Sequence, residues 1–241
     1  MPQFSDPLGD LLAARVPVIQ LQRGAVTAVG AASPRVLLPG SFNPVHDGHS
    51  QLLEAACAAV GGGATGGFEL SVTNADKGTL PRGEVERRAM QFAAGGHALV
   101  LTDAPLFVQK AALLPGTVFV VGVDTAVRIV MPKYYGGSEA AMLEVLHTIR
   151  RHNCSFLVAG RLVDGAFVEP TSVAAPPGLE GVWCFWWAIR TMFTLCPDAS
   201  PHLSHFEQAC SGRCPPSGKT SRPQSSVRGL HKRGANDRKG N

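Results

Sequence analysis

From Arg35 onward, short apolar runs alternate with longer stretches of helical period. The runs fall at 36–38, 68–72, 98–101, 118–121 and 155–159, each of a length that suits a strand. Between them, residues 49–60, 82–94, 105–114, 125–131 and 139–151 read as helices. The first of these is the best defined: His49, Leu52, Leu53, Ala56, Cys57 and Val60 fall on one stripe, and Gly61-Gly62-Gly63 ends it. Strands that alternate with helices predict an α/β fold with a doubly wound parallel sheet of about five strands.

On this pattern residues 35–169 form a Rossmann-like domain, and the rest of the chain flanks it. Residues 1–34 read as a lead-in with one short amphipathic stretch at 7–14. After Val168 the alternation stops, Pro170 opens a loop-like break, and 170–196 reads as an irregular apolar segment. Its apolar run at 182–196 is interrupted by Arg190 and falls short of the roughly 20 residues a bilayer span needs. No membrane association is expected. The first residues carry Asp6 and Asp10 and no basic region followed by an apolar run, so a secretory signal is not expected either. A cytoplasmic protein is the expectation, and its cysteines, Cys57, Cys154, Cys184, Cys196, Cys210 and Cys214, read as free thiols.

Charge changes the picture only at one end. The chain of 241 residues carries a formal net charge of +4, but residues 197–241 hold eight basic and three acidic side chains. That stretch is rich in Ser, Pro and Gly and too poor in apolar residues to offset its ordering entropy, so it reads as a disordered tail. A solvated tail is preferred to nucleic-acid contact. Cys210 and Cys214 with His202 and His205 lack the spacing usual for zinc.

The chemistry concentrates in ten consecutive residues, Gly40-Ser41-Phe42-Asn43-Pro44-Val45-His46-Asp47-Gly48-His49, set between the first predicted strand and the first predicted helix. The carboxyl end of a strand that leads into a helix is where α/β sheets bind ligands, and the exposed helix N–H groups favour anions. Gly40 allows backbone to approach a phosphate, and His46 and His49 can converge on the same anion. Alone, His49 on an apolar stripe reads as a structural histidine. His46, Asp47 and His49 as metal ligands have no separate, identifiable protein ligand outside the motif to complete a site, so no metal site is expected.

The string resembles the HxGH nucleotidylyltransferase superfamily: His46-Asp47-Gly48-His49 fits HxGH, and Gly40-Ser41-Phe42-Asn43-Pro44 fits the G-[ST]-F-[DN]-P lead-in. Two further segments look similar. Asn74-Ala75-Asp76-Lys77-Gly78-Thr79-Leu80 follows the second strand as the family's lysine-bearing segment does, and Gly122-Val123-Asp124 looks like the G-x-D segment of nicotinamide- and nicotinate-type adenylyltransferases. The resemblance implies transfer of AMP or CMP from a nucleoside triphosphate to a phosphate-bearing small-molecule acceptor, with Mg²⁺ carried by the triphosphate. It assigns catalysis to His46, His49 and Lys77, and nucleotide binding to Gly40, Ser41, Phe42, Asn43, Gly48 and Asp124. Asp124 also suits a helix N-cap, and Tyr134 or Tyr135 a base-stacking or loop-packing role. The family's closing S-S-T-x-[IL]-R segment has no counterpart after Pro170, and Ser225-Ser226-Val227-Arg228 is a chance match. The alternative is therefore a degenerate nucleotide-binding protein without turnover.

Overall fold

All five apolar runs form strands and all five helical stretches form helices, but two further segments join them. The computed structural model describes residues 6–27, 33–74, 78–163, 166–168, 173 and 175–186. In chain order the elements are α1 (Pro7–Leu12), β1 (Val18–Gln22), β2 (Ala25–Thr27), β3 (Val36–Pro39), α2 (Asp47–Val60), β4 (Gly66–Ser71), β5 (Thr73–Asn74), β6 (Gly78–Thr79) and α3 (Arg82–Ala94). There follow β7 (Ala98–Thr102), α4 (Phe107–Leu113), β8 (Val118–Gly122), α5 (Val123–Ile129), α6 (Glu139–Arg151), β9 (Ser155–Ala159), β10 (Arg161–Val163), β11 (Ala166–Val168) and β12 (Trp183–Trp186). The expected tail, 197–241, lies outside the described residues.

The main sheet has eight strands in the order β12-β9-β8-β3-β4-β7-β1-β2. Neighbours from β12 to β7 pair in parallel, whereas β1 runs antiparallel to β7 and β2 antiparallel to β1. Numbered by themselves along the chain, the parallel strands stand in the order 3-2-1-4-5-6, which makes the sheet Rossmann-like. The winding reverses between β3 and β8, at the end of β3 from which the 40–49 segment leaves. In such sheets that switch point is where a crevice opens.

The additional strands refine the expected architecture. The segment expected to be irregular, 170–196, contributes β12 as a sixth parallel strand, entered through a 3-10 turn at Glu180–Val182, with Trp183 opposite Phe156. Its four residues are all apolar or thiol-bearing and show no period, so nothing in the pattern separated strand from loop. The lead-in is part of the sheet rather than an appendage: β1 pairs with all of β7, from Val18 opposite Thr102 to Gln22 opposite Ala98.

Two apolar layers hold the sheet. On one face Leu37, Val100, Phe119, Val121, Phe156 and Val158 meet Ala111 of α4 and Met142, Leu146 and Ile149 of α6. Elsewhere in the core Phe68 of β4 contacts Phe92 of α3 and Phe42, with ring centroids 4.9 and 5.3 Å away. Fully burying each such ring contributes on the order of 1.5–3 kcal/mol. Side-chain alternation then sends Glu69, between Phe68 and Leu70, to the opposite face. Among the described residues no helix is long and apolar enough to cross a membrane.

Candidate functional site

Gly40 follows β3 and prolongs its ladder, its N–H donating to the Glu69 carbonyl at 3.0 Å. A Cβ at Gly40 would lie 2.7 Å from the Phe42 ring, so only glycine fits without moving that ring. Phe42 itself has φ +45°, left-handed backbone that a bulky residue adopts at a cost. Its ring is 3% exposed and packs edge-on against Phe68, Phe92 and His49, which holds the backbone in place. The apolar core thus fixes the loop through one side chain and leaves the rest polar.

His46 is the N-cap of α2, and His49 stands in its first turn. The His46 backbone N–H donates to His49 Nδ1 at 3.2 Å, and the two rings stack with centroids 3.7 Å apart. With Nδ1 accepting, the proton of the neutral imidazole sits on Nε2, so His49 is a donor at that atom. Partial burial, and then the neighbouring His46, hold the His49 pKa below the ordinary histidine value, which favours this neutral form. His46 is exposed, while Gly48 and His49 are half-buried.

Helix α3 clamps the loop. Arg88 Nη1 donates to the Ser41 carbonyl at 2.8 Å, and Arg87 Nη2 to Asn43 Oδ1 at 2.6 Å. Gln91 accepts from the Val45 N–H at 3.0 Å and donates to the Phe42 carbonyl at 3.4 Å. Glu84 binds both guanidinium groups, and their hydrogen bonds hold its carboxyl down to about 2. Read from the sequence, none of these four residues has a role in the site. The signal was present, since Glu84, Arg87, Arg88 and Gln91 recur at helical spacing and share one polar stripe.

A cavity of about 590 Å³ opens beside the loop, bounded among others by Gly40, Ser41, Asn43, Glu69, Arg88 and Lys110. That volume suits a small-molecule ligand. Its wall carries a buried ion pair: Lys110 Nζ donates to Glu69 Oε1 at 2.5 Å, and Thr102 Oγ1 donates to the same oxygen at 2.6 Å. Glu69 is 0% and Lys110 5% exposed. Oε2 of Glu69 has no hydrogen-bond partner among the described residues. A buried acceptor left unmet costs about 1–3 kcal/mol, and more when it is charged.

The expected site residues divide into groups. Gly40, Ser41 and Asn43 line the cavity; His46, Gly48 and His49 lie next along the same loop and helix end but do not line it. The Phe42 side chain is spent on the core, leaving its backbone to the site. Asp124 is exposed in the first turn of α5, whose N-cap is Gly122, and it does not border the cavity. Lys77 lies outside the described residues, although Asn74 and Leu80 on either side of its segment do line the cavity. Tyr135 is half-buried and donates to the Ile129 carbonyl at 2.8 Å, so it packs the loop, whereas Tyr134 is exposed beside Lys133. Among the described residues no three His, Cys, Asp or Glu side chains cluster as metal ligands. The chain matches no protein-family model, no curated protein and no solved structure.

Proposed function

We propose that the protein is an HxGH-type nucleotidylyltransferase, transferring AMP or CMP from a triphosphate to a phosphate-bearing small molecule in the cytoplasm. One observation supports this most: the Gly40-to-His49 string leaves β3 at the switch point of the sheet, and His49 Nδ1 is engaged by the His46 N–H. His49 then presents Nε2–H as a donor beside a helix N-terminus, an arrangement suited to phosphate oxygens.

The acceptor's phosphate oxygen attacks the α-phosphorus in line, forming one P–O bond while the bond to the β-phosphate oxygen breaks and pyrophosphate leaves. No protein nucleophile is required. Positioning and charge stabilisation supply the catalysis. The backbone at Gly40 to Phe42 cradles the α-phosphate, His46 and His49 hydrogen-bond its oxygens as charge develops, and Lys77 neutralises the leaving phosphates. Asp124, at the carboxyl edge of the neighbouring β8, accepts from the nucleoside. The cavity beside the loop receives the acceptor. The triphosphate would bring Mg²⁺ with it, which would supply charge screening without needing a carboxylate cage from the protein.

A second reading, nucleotide binding without turnover, draws on the sequence alone, because no S-S-T-x-[IL]-R segment follows Pro170. Pyrophosphate release with ATP and CTP across a panel of phosphate-bearing acceptors separates the two. Release that requires both substrates supports transfer. Nucleotide binding with no release for any pair supports the second reading.

A further inference from the structure

Three side chains of α3 hydrogen-bond the 40–49 loop, and they differ in what they can bind. A guanidinium only donates, so Arg88 and Arg87 reach the Ser41 carbonyl and the Asn43 side chain. A carboxamide donates and accepts. Gln91 uses both capacities. Its Oε1 accepts from the Val45 N–H at 3.0 Å, and its Nε2 donates to the Phe42 carbonyl at 3.4 Å and, within α3, to the Arg88 carbonyl at 3.5 Å. Phe42 and Val45 flank the turn at Asn43-Pro44, so one half-buried side chain spans that turn. Its helix is a firm support, because the adjacent Phe92 is 1% exposed and meets the Phe42 ring with centroids 5.1 Å apart.

The peptide that follows Val45 is the one that engages His49. Its N–H, that of His46, donates to His49 Nδ1 at 3.2 Å. We infer that Gln91 is a positioning residue for His49: by holding the Val45 N–H against α3 it orients the next peptide, whose N–H sets the ring that presents Nε2–H to a bound anion. Among the described residues no hydrogen bond joins Gln91 to either histidine, and its effect passes through two consecutive backbone N–H groups. A glutamate at this position would keep the Val45 bond but face the Phe42 carbonyl with no proton to give. Only the identity of the anion, the α-phosphate, rests on the transfer proposed above; the orientation of the ring does not.

Amide hydrogen exchange followed by NMR on the full chain tests this, because the His46 N–H has its partner in His49 and not in Gln91. In Gln91→Met, similar in length but without the carboxamide, the Val45 and His46 amides are both expected to exchange at least about tenfold faster, while those of β3, β4 and β7 keep their rates. Gln91→Glu retains the acceptor for Val45 and should return the His46 rate most of the way. Transfer should follow the same order, with kcat lower by about tenfold or more in Gln91→Met, KM nearly unchanged, and most of the loss recovered in Gln91→Glu. Should Gln91→Met not fold, the shorter Gln91→Asn, which withdraws the carboxamide from the loop, takes its place with the same expectations. Faster exchange at Val45 alone overturns the inference, since the His46 peptide then keeps its place unaided. Equal acceleration across the three strands overturns it too, because Gln91 would then support the whole core. Coupled loss at both amides, in a chain that transfers no nucleotide to any acceptor, removes the proposed transfer and leaves the positioning of His49 standing.

Discussion

The 40–49 loop and the Glu69–Thr102–Lys110 cluster border the same cavity and are built on opposite principles. The loop is polar and largely exposed, and is fixed from outside by hydrogen bonds from α3 and from inside by the Phe42 ring. The cluster is charged and buried, and each member depends on the others for its satisfaction. Changes in the loop should therefore register in chemistry with little loss of fold. Changes in the cluster should register first in stability.

The sharpest contrast comes from breaking the pair. Lys110→Met leaves the Glu69 carboxylate without a counter-charge and is expected to cost about 3–5 kcal/mol, measured by denaturant unfolding. Adding Glu69→Leu to it should recover most of that loss, because two apolar side chains then replace two charges. An unchanged unfolding midpoint in Lys110→Met would show that the pair is not the buried unit described.

In the loop, His46→Ala and His49→Ala should each lower transfer about 10²- to 10³-fold. Their unfolding free energies should move by less than about 1 kcal/mol, since both sit at a helix end with solvent access. Equal losses of rate and stability would erase the distinction between the two regions.

The clamp sits between these extremes. Arg88, whose side chain is 11% exposed, should matter more than Arg87, at 46%. Arg88→Ala is expected to cost about 1 kcal/mol and Arg87→Ala clearly less, because exposed ion pairs are screened. Both should raise proteolytic cleavage within 40–45, with Arg88→Ala the faster.

The smallest effect is a titration. Burial holds His49 below its ordinary pKa of 6.5, so the unfolded chain takes up this proton more readily than the folded one. The associated stability is present above pH 6.5 and is lost as pH falls from there through the folded value. Nitrogen-detected NMR should find the proton on Nε2 at neutral pH and a midpoint below 6.5. A midpoint above it would mean that an anion or carboxylate governs this ring.

How far each region could be read in the sequence follows from how local it is. The loop is ten consecutive residues at a strand-to-helix junction, so residue type and spacing were enough to mark Gly40, His46 and His49. The parallel strands were equally legible, because fully buried strands are continuous apolar runs. β12 escaped because four apolar residues after a Pro/Gly-rich break carry no period. The cluster was hidden for a different reason. Lys110 lies 41 residues from Glu69, and only the pairing of β4 with β7 and the return of α4 bring them together. A glutamate inside the run Phe68-Glu69-Leu70 was nonetheless a signal, since a buried carboxylate must find a partner. Asp124 shows the converse limit: its segment is correctly placed at a strand end, but its position relative to the cavity depends on the winding of the whole sheet.

Nucleotidyl transfer by this loop, as proposed above, is decided by the path of the α-phosphate. The most direct measurement supplies ATP or CTP labelled on the α-phosphate, together with a panel of phosphate-bearing acceptors, and follows where the label goes. Label should become covalently joined to one acceptor class, with unlabelled pyrophosphate in equal amount, and both should be lost in His46→Ala and His49→Ala. Label that stays with the triphosphate for every acceptor, or transfer that proceeds undiminished without either histidine, would contradict it.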